Sequence, residues 1–571
     1  MEFILENTES NMGESFMPTL LSPLQKARTN FQLALPRHLE NIGTLQVEKG
    51  KHTESEGNSE KLKELFPHTY GQPVVSFSEG NKGTHAVQRV GVVLSGGQAP
   101  GGHNVIAGLF DSLKQLNSKS TLFGFLAGPN GIVVNDYVEI TEELLSSYRN
   151  QGGFDIIGSG RDKIDTEEQL ANAEKNCKAL ELDGLVIIGG DDSNTNAAML
   201  AEYFSKANCK TRVIGVPKTI DGDLKNEQVE TSFGFDTACK VYSELIGNLL
   251  RDCLSSKKYY HFVKLMGRSA SHITLECSLQ THPNIAIISE EVASDKKTLA
   301  EITNEIADVI CLRAEQGKGY GVVLVPEGLV EFVPEIKSLI GALNDILSPE
   351  KPLNDLVKSM TTHKERMVLV CGNLKPELAA CFNSFPRSIQ DQLLEDRDPH
   401  GNVQVSRIET EQLLIMTVAS ELESRKTCGK YKGTFSTQHH FLGYEARSSM
   451  PSNFDCHYCY ALGFTATLLI ESGLSGYMAV VKKLIKPVSD WEVGGVPLTS
   501  MMNVEVRQGK AKPVIQKALV DLTSNAFQTF KKVREKWSTE DLYRYPGPIQ
   551  FYGQEDVTNG TSMTLQYEHS S

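Results

Sequence analysis

The chain has 571 residues, of which 40% are hydrophobic and 22% charged, and its formal net charge is −14. This composition is typical of a soluble globular protein with two or more domains. The negative charge disfavours binding to nucleic acid or to an anionic membrane surface, because no long run of Lys or Arg offsets it. The eleven cysteines are scattered and odd in number, which argues against a disulfide framework and favours a cytoplasmic protein.

The amino-terminal part of the chain is polar. Residues 1–6 have neither a basic start nor an apolar stretch, so we expect no secretory signal. Residues 1–85 are rich in Glu, Ser, Asn and Lys, which predicts an N-terminal extension that is partly disordered. The longest mostly apolar run, residues 458–470, is shorter than the roughly 20 residues of a membrane span and predicts a buried core helix.

Short apolar runs follow from Arg89 onward, and each ends in a glycine-rich or polar turn. This pattern predicts buried parallel strands with helices between them, and therefore an α/β fold. In such folds ligands bind at the carboxyl ends of the strands, where the motifs described below begin. The predicted strands are residues 90–94, 185–188, 212–216, 261–265, 285–288 and 322–325.

The first motif is the glycine turn at residues 95–102, Ser-Gly-Gly-Gln-Ala-Pro-Gly-Gly. Glycines after a strand let backbone N–H groups approach an anion beside a helix N-terminus. The turn matches neither the dinucleotide fingerprint nor the Walker pattern. By itself it is equally consistent with an ordinary tight turn.

The second motif, residues 189–195, sets Asp191 and Asp192 side by side where a strand ends and a helix begins. One of these carboxylates could simply cap the helix. Two consecutive acids in a glycine turn also suit a hydrated magnesium ion. The motif therefore nominates a Mg²⁺ site without excluding a cap.

The third motif, residues 217–224, places a cation, a hydroxyl and two carboxylates within six residues: Lys218, Thr219, Asp221 and Asp223. Phosphoryl transfer needs a cation against the transferred charge, a group that orients the hydroxyl, and a base that accepts its proton. This segment supplies all three.

The fourth motif, residues 265–272, ends a strand with Gly267 and follows it with Arg268. A guanidinium at this position could grip a phosphate with two hydrogen bonds. The alternative is a solvated surface Arg.

Taken together and in this order, the four motifs resemble the phosphofructokinase superfamily over about residues 90–501. The resemblance implies a phosphofructokinase-type α/β fold: two Rossmann-like domains with mainly parallel sheets, an active site in the cleft between them, and helical insertions. It implies a phosphoryl-donor domain at 86–240 completed by about 445–500, a fructose 6-phosphate domain at 241–444 with a helical insertion at about 336–437, and a C-terminal helical segment and tail at 501–571.

The resemblance also assigns roles residue by residue. Asp221 takes the proton from the sugar 1-hydroxyl, Thr219 orients the substrate, and Asp191 binds Mg²⁺ with the help of Asp223. Gly96, Gly97, Asp192 and Lys218 bind the phosphoryl donor, and Arg161 steadies the transferred group. The implied sugar-phosphate residues are Thr219, Ile220, Asp221, Met266, Gly267, Arg268, Glu327, Tyr444 and Arg447, with Lys258 and Tyr259 reaching the site of a neighbouring subunit.

Two residues predict the donor. ATP-using members of the family usually have glycine at the position of Asp192, because the nucleotide passes over it, and a carboxylate would crowd and repel ATP. Bacterial ATP-dependent members have glycine at the position of Lys218, whose ammonium here could meet the departing phosphate. We therefore expect reversible transfer from pyrophosphate to fructose 6-phosphate, giving fructose 1,6-bisphosphate and phosphate, in glycolysis and gluconeogenesis.

The chain length, residues 491–498 and the stretch at about 336–437 resemble the long plant-type members, specifically their β subunit. This implies a homologous α regulatory subunit in a heterotetramer, or else a homo-oligomer, and fructose 2,6-bisphosphate as activator. An ATP-dependent phosphofructokinase and a non-catalytic regulatory subunit remain the alternatives. The intact Thr219-Ile220-Asp221 sequence argues against the latter.

Overall fold

Strands and helices alternate along most of the chain. The structure is a computed structural model and describes residues 21–81, 83–397, 402–507 and 510–569. In this part of the chain the strands are, in order, β1 (Leu45–His52), β2 (Pro73–Glu79), β3 (Arg89–Leu94), β4 (Thr121–Phe125), β5 (Tyr137–Ile140), β6 (Gly184–Gly189), β7 (Arg212–Pro217), β8 (Tyr260–Leu265), β9 (Ile285–Ala286), β10 (Gly321–Pro326), β11 (Thr437–Leu442), β12 (Tyr477–Lys482), β13 (Glu492–Pro497), β14 (Met502–Arg507) and β15 (Lys510–Ile515).

The α-helices of the same residues fill the connections between strands. They are α1 (Pro23–Thr29), α2 (Ser59–Leu65), α3 (Gly102–Leu116), α4 (Asn130–Val134), α5 (Glu142–Ser146), α6 (Glu167–Ala179), α7 (Asp191–Lys206), α8 (Phe235–Ser256), α9 (His272–Thr281), α10 (Ser289–Asp295), α11 (Leu299–Glu315), α12 (Pro334–Ile346), α13 (Pro352–Ser359), α14 (His363–Gly372), α15 (Pro376–Ser384), α16 (Arg387–Glu395), α17 (Thr410–Thr427), α18 (Asn453–Glu471), α19 (Asn525–Thr539), α20 (Glu555–Thr558) and α21 (Met563–Glu568).

A nine-stranded sheet forms the larger layer, in the order β1-β2-β13-β12-β7-β6-β3-β4-β5. Its centre is parallel, since β3 pairs in parallel with β4 and β6, and β7 with β6 and β12. The chain runs outward from β3 in one direction to β4 and in the other to β6. Ligand crevices of open α/β sheets lie at such a reversal of strand order, and the first two motifs follow these strands.

A second, four-stranded sheet has the order β11-β8-β10-β9 and is parallel throughout. The fourth motif follows β8, and the segments around Glu327 and Arg447 follow β10 and β11. The carboxyl ends of parallel neighbours share one edge of a sheet, so these segments are brought together. The predicted α/β fold is confirmed. The second sheet is parallel throughout, whereas the large sheet is parallel at its centre and has antiparallel strands at both edges.

Each apolar run predicted as a strand forms one. The run at residues 285–288 forms a strand over only its first two residues, because Ile288 already serves as the N-cap of α10. The apolar run at 458–470 lies in the buried helix α18, as predicted. None of the helices in the described ranges is long and apolar enough to cross a membrane.

Helix α18 packs against α3 beneath the large sheet. Two glycines permit the close approach: a Cβ on Gly108 would lie 2.3 Å from the Tyr460 carbonyl oxygen, and one on Gly463 would lie 2.4 Å from that of Val105. The helix α3 begins directly after the glycine turn of the first motif, so this contact fixes the position of that turn.

Helices α12 to α17 build the predicted insertion. Their apolar residues share a core with Phe262 of β8 and with Val323 and Val325 of β10, so the insertion covers one face of the second sheet. Buried Lys264 joins the two layers, because its ammonium donates to the Ile408 carbonyl at 3.1 Å and lies 3.5 Å from a Glu411 carboxylate oxygen.

Regular secondary structure also occurs in the described residues on either side of the two-sheet core. The first 20 residues lie outside the described part of the chain, but β1 and β2 extend the large sheet through β2–β13 pairing. Polar strands can do this without a core of their own, because the existing sheet supplies their partners. At the other end, the expected helical segment is preceded by the β14–β15 hairpin.

Candidate active site

A cleft of about 430 Å³ lies between the carboxyl edges of the two sheets. Segments from all four motifs line it, although they are far apart in the sequence. The predicted site residues that line it are Gly96, Gly97, Arg161, Asp191, Asp192, Lys218, Thr219, Ile220, Asp221, Asp223, Met266, Arg268, Glu327, Tyr444 and Arg447.

The glycine turn is surrounded by cations. A Cβ on Gly96 would lie 3.2 Å from the Lys218 ammonium, and one on Gly97 would lie 2.6 Å from a guanidinium nitrogen of Arg447 and 3.6 Å from one of Arg161. Gly96 also has a positive φ of 85°, which favours glycine. The absence of side chains therefore lets three positive charges converge on the turn, an arrangement that suits a polyanion.

Lys218 is the buried member of this group. Its side chain comes directly after β7, and burial lowers its pKa to about 8, with Arg447 and Arg161 contributing and Asp221 opposing. An ammonium in this environment is short of counter-charge. A phosphate oxygen would supply it.

Asp221 lies three residues further along the same turn. Its backbone N–H donates to the Thr219 hydroxyl at 3.1 Å, which fixes the turn between the two side chains. Removal from water and the nearby charge of Asp223 raise the pKa of Asp221 to about 6, while Arg268 opposes this. A carboxylate with a pKa close to neutral is suited to accept and return a proton.

Two carboxylates, Asp191 and Asp192, lie just after the end of β6. Burial raises the pKa of Asp191, and the charge of Asp192 adds to the shift while Lys517 opposes it. Asp192 is more exposed and pairs with the Lys163 ammonium at 3.0 Å. Asp223 joins this group, since the Lys517 ammonium lies 3.6 Å from Asp191 and 3.7 Å from Asp223.

These oxygen donors fit Mg²⁺. The described residues contain no group of three or more His, Cys, Asp or Glu side chains arranged as a metal cage. Magnesium usually keeps several waters and takes one or two carboxylates together with substrate phosphates. Asp191, with Asp223 beside it, meets that requirement.

The opposite wall of the cleft comes from the second sheet. Glu327 is buried after β10, accepts a hydrogen bond from the Gly267 N–H at 3.2 Å, and has its pKa raised to about 7 by burial and by Asp221. Exposed Arg268 follows Gly267. The wall therefore places a hydrogen-bond acceptor close to an exposed guanidinium.

Arg447 and Tyr444 close this wall. The Arg447 guanidinium lies 5.2 Å from the Tyr444 ring centre and donates to the Gln98 side-chain oxygen at 2.6 Å. Since Gln98 belongs to the glycine turn, this contact bridges the two sheets.

Three predicted residues do not line the cleft of this chain. The Gly267 N–H donates a hydrogen bond to the Glu327 carboxylate. Lys258 and Tyr259 precede β8, at the end of the sheet opposite the cleft, and Tyr259 is 37% exposed. Their assignment to a neighbouring subunit's site stays a prediction.

The structure adds residues that the motifs did not indicate. Lys163 follows Arg161, and Lys517 comes from the segment after the β14–β15 hairpin. Gln404, Ser406 and Arg407 reach the cleft from the helical insertion. These residues follow no strand run and belong to no glycine motif, so only the tertiary structure brings them to the cleft.

The fold and the cleft together define a phosphotransferase: a crevice at the carboxyl ends of parallel strands from two sheets, lined by both cations and carboxylates. The chain belongs to the phosphofructokinase family, whose model matches residues 89–470.

Two relatives match almost the whole chain. A pyrophosphate–fructose 6-phosphate 1-phosphotransferase of Porphyromonas gingivalis is 52% identical, covering 96% of this chain and 99% of its own. The β subunit of the enzyme of that name in Solanum tuberosum is 51% identical, covering 99% and 97%. Among solved structures, a pyrophosphate-dependent phosphofructokinase of Nitrosospira multiformis superposes with a TM-score of 0.51 at 15% identity, covering 83% of this chain and 96% of its own, which supports the fold.

Proposed function

We propose that this chain is a pyrophosphate-dependent phosphofructokinase, which reversibly transfers a phosphoryl group from pyrophosphate to the 1-hydroxyl of fructose 6-phosphate. The products are fructose 1,6-bisphosphate and phosphate. The observation that carries the proposal is the position of Lys218, buried beside Gly96 and close to Asp221. At this position the Lys218 ammonium can bind the phosphate that leaves when pyrophosphate is the donor.

The reaction needs one proton acceptor and one attacking oxygen. Asp221 accepts the proton of the sugar 1-hydroxyl while that oxygen bonds to the terminal phosphorus of pyrophosphate. The bond from this phosphorus to the bridging oxygen breaks, and phosphate leaves. In the reverse direction Asp221, now protonated, returns the proton to the sugar oxygen.

The cations of the cleft stabilise the charge that develops. Lys218 meets the departing phosphate, while Arg161 and Arg447 face the glycine turn that would hold the donor. Arg268 binds the sugar phosphate, and Glu327 accepts a hydrogen bond from a sugar hydroxyl.

Mg²⁺ belongs to the proposal as the cofactor, with Asp191 as ligand and Asp223 beside it. When bound, it would neutralise charge on the pyrophosphate. The residues of this chain then hold the donor in line with the sugar hydroxyl, and Asp221 accepts and returns the proton.

Asp192 supports pyrophosphate as the donor. The side chain is exposed at the rim of the cleft beside Lys163, where its negative charge and volume act against a nucleotide that must extend beyond the two phosphates. The relatives that match nearly the full chain are named for pyrophosphate, in agreement with this argument.

The reaction can be tested by ³¹P NMR with purified protein, Mg²⁺, fructose 6-phosphate and pyrophosphate. We expect fructose 1,6-bisphosphate and phosphate to appear in equal amounts. The Asp221→Asn variant keeps the size of the side chain but cannot accept the proton, so turnover should fall by about 10²- to 10⁴-fold. Formation of phosphate without the sugar bisphosphate would indicate a pyrophosphatase and contradict the proposal.

The assembly and regulation are part of the same proposal. A match to a protein named as a β subunit supports a homologous α partner, and a homo-oligomer is the alternative. Activation by fructose 2,6-bisphosphate follows from the plant-type resemblance. A cytoplasmic location is supported by the cysteines of the described residues, all of which are free thiols.

A further inference from the structure

Lys517 is a cation of the cleft that comes from outside the residues matched by the family model. It belongs to the segment at residues 516–524, between β15 and α19, which we call the C-terminal strap. The ammonium of Lys517 donates to the Ser269 hydroxyl at 2.9 Å and pairs with Asp191 and Asp223. One side chain thus contacts the second, third and fourth motifs at once.

The strap holds Lys517 in place through backbone contacts on both sides of it. Before Lys517, the Gln516 N–H donates to the Met501 carbonyl at 3.0 Å. After it, the Ala518 N–H donates to the Asp223 carbonyl at 2.7 Å. The Ala518 carbonyl in turn lies 2.9 Å from Nε2 of His272, which follows β8.

The strap therefore joins the two sides of the cleft. Asp223 follows β7 of the large sheet, whereas His272 begins helix α9, which follows β8 of the second sheet. A further contact, from the Val520 N–H to a Glu290 carboxylate oxygen at 3.0 Å, fastens the strap to α10. A lysine fixed in this way at its backbone still has a flexible four-carbon stem, and its side chain is 33% exposed to the cleft.

We propose that Lys517 is a further site residue. Without a bound metal, its ammonium neutralises Asp191 and Asp223. When the divalent metal binds to these carboxylates, the ammonium moves away from them and binds the pyrophosphate. This inference rests on the proposed function and extends it to a segment beyond the family domain.

Simple electrostatics supports such an exchange. A divalent cation and an ammonium cannot both lie against the same carboxylate oxygens, since like charges repel strongly at short range. Two neighbouring carboxylates without any cation would also repel each other. The nearest new partner for a displaced ammonium is the polyanion that arrives with the metal, and a charge-assisted hydrogen bond to phosphate would hold it there.

The test combines metal binding with kinetics for the Lys517→Met variant. Binding of Mn²⁺, a paramagnetic substitute for Mg²⁺, is measured by electron paramagnetic resonance without substrates. We expect the variant to bind Mn²⁺ about tenfold more tightly, because no ammonium competes for the carboxylates. We also expect kcat/KM for pyrophosphate to fall about tenfold to hundredfold, because a phosphate contact is lost.

Two further variants control the experiment. Lys532→Met changes an exposed lysine on α19 that does not line the cleft, and both parameters should stay within twofold of the wild type. Lys517→Arg keeps the charge and should recover part of kcat/KM. Far-UV circular dichroism and thermal unfolding check that the Lys517 variants are folded.

The outcomes separate this inference from the proposed function. Mn²⁺ affinity of Lys517→Met within twofold of the wild type, weaker than it, or undetectable in both proteins would contradict the exchange. Unchanged kcat/KM would contradict the phosphate contact. If the wild type does not use pyrophosphate at all, the proposed function fails, while the Mn²⁺ measurement still decides whether Lys517 and the metal compete.

Discussion

Asp221 and Lys218 lie three residues apart in one turn and have pKa values shifted toward each other. The pKa of Asp221 is raised to about 6 and that of Lys218 is lowered to about 8, both chiefly because they are removed from water. Between these values the base is charged and the cation is protonated. Near neutral pH both groups are therefore charged, as the proposed mechanism requires.

The pH dependence of kcat/KM for fructose 6-phosphate phosphorylation follows from these shifts. Asp221 must be deprotonated, so activity should rise as the pH passes through about 6. Lys218 must be protonated, so activity should fall as the pH passes through about 8. Steady-state rates between pH 5 and pH 9.5 would show the two limbs.

The Lys218→Arg variant assigns the alkaline limb. A guanidinium stays protonated over this range, so whatever activity the variant retains should no longer fall near pH 8. Persistence of the alkaline limb in the variant would show that another group causes it.

At the residue scale, strand ends and short motifs located most of the predicted groups, and the family resemblance added Arg161, which follows no strand. Lys218, Asp221 and Arg268 could be found because each stands in a short motif after an apolar run. Arg407 and Lys517 could not, since one emerges from a helical insertion and the other from a loop that follows a hairpin. Their positions depend on tertiary contacts that leave no local pattern.

The packing of α3 against α18 fixes the position of the glycine turn, because α3 begins where that turn ends. Both helices are largely buried, and they approach closely only because Gly108 and Gly463 have no side chains. A methyl group at either position would meet backbone atoms, which cannot rotate away.

Gly463→Ala should accordingly destabilise the protein. Its Cβ would lie 2.4 Å from the Val105 carbonyl oxygen and 2.7 Å from the Leu109 nitrogen, and overpacking of this kind costs about 1–3 kcal/mol. A lower midpoint of thermal unfolding is the expected result.

Gly341→Ala is the matched control. Gly341 lies within α12, and an added Cβ would meet no atom within 4 Å. Alanine is the better helix former, so this variant should be more stable by about 0.5–1 kcal/mol. Equal midpoints for the two variants would contradict the close packing of α3 and α18.

At the element scale, periodicity and turn chemistry were sufficient for the central parallel strands. The β1–β2 extension and the β14–β15 hairpin were not predicted, although β14 alternates apolar and polar residues. β1 and β2 mix apolar with polar residues, and the pairing of β2 with β13, which is distant in sequence, leaves no local pattern.

The described segments before and after residues 89–470 make contacts with that part of the chain. Near the amino terminus, buried Arg28 donates to the Asn453 side-chain oxygen at 2.7 Å and to the Pro451 carbonyl at 3.0 Å. Its guanidinium also lies between the rings of Phe31 and Phe551, at 4.5 and 4.4 Å from their centres. It thus connects the N-terminal segment, the start of α18 and the C-terminal segment.

Arg28→Met should lower the stability of the protein, because it removes these contacts of the N-terminal segment with α18 and the C-terminal segment. The variant keeps the apolar stem but removes the charged donor from the Asn453 side-chain oxygen and leaves the Pro451 carbonyl with only the weak Cys456 thiol as donor. We expect a cost of about 2–4 kcal/mol in the free energy of unfolding. Arg37→Met is the comparison, because Arg37 is 76% exposed and its ion pair with Asp490 is long, at 3.6 Å. Surface changes of that kind alter stability by about 0.5 kcal/mol or less.

Thermal unfolding distinguishes the two arginines. We expect a clear decrease in the midpoint for the Arg28 variant and almost none for the Arg37 variant. An unchanged midpoint in both would mean that the N-terminal segment does not contribute to the stability of the family domain.

The central claim is that the cleft uses pyrophosphate, and the most direct measurement is fructose 6-phosphate phosphorylation with Mg²⁺ and either pyrophosphate or ATP as the donor. The Asp221→Ala variant is the control for contaminating activity. We predict turnover with pyrophosphate that is lost in the variant, and little or none with ATP, because Asp192 and Lys218 favour the inorganic donor. A preference for ATP would contradict this account, and inactivity with both donors, also in the presence of fructose 2,6-bisphosphate, would indicate a regulatory subunit instead.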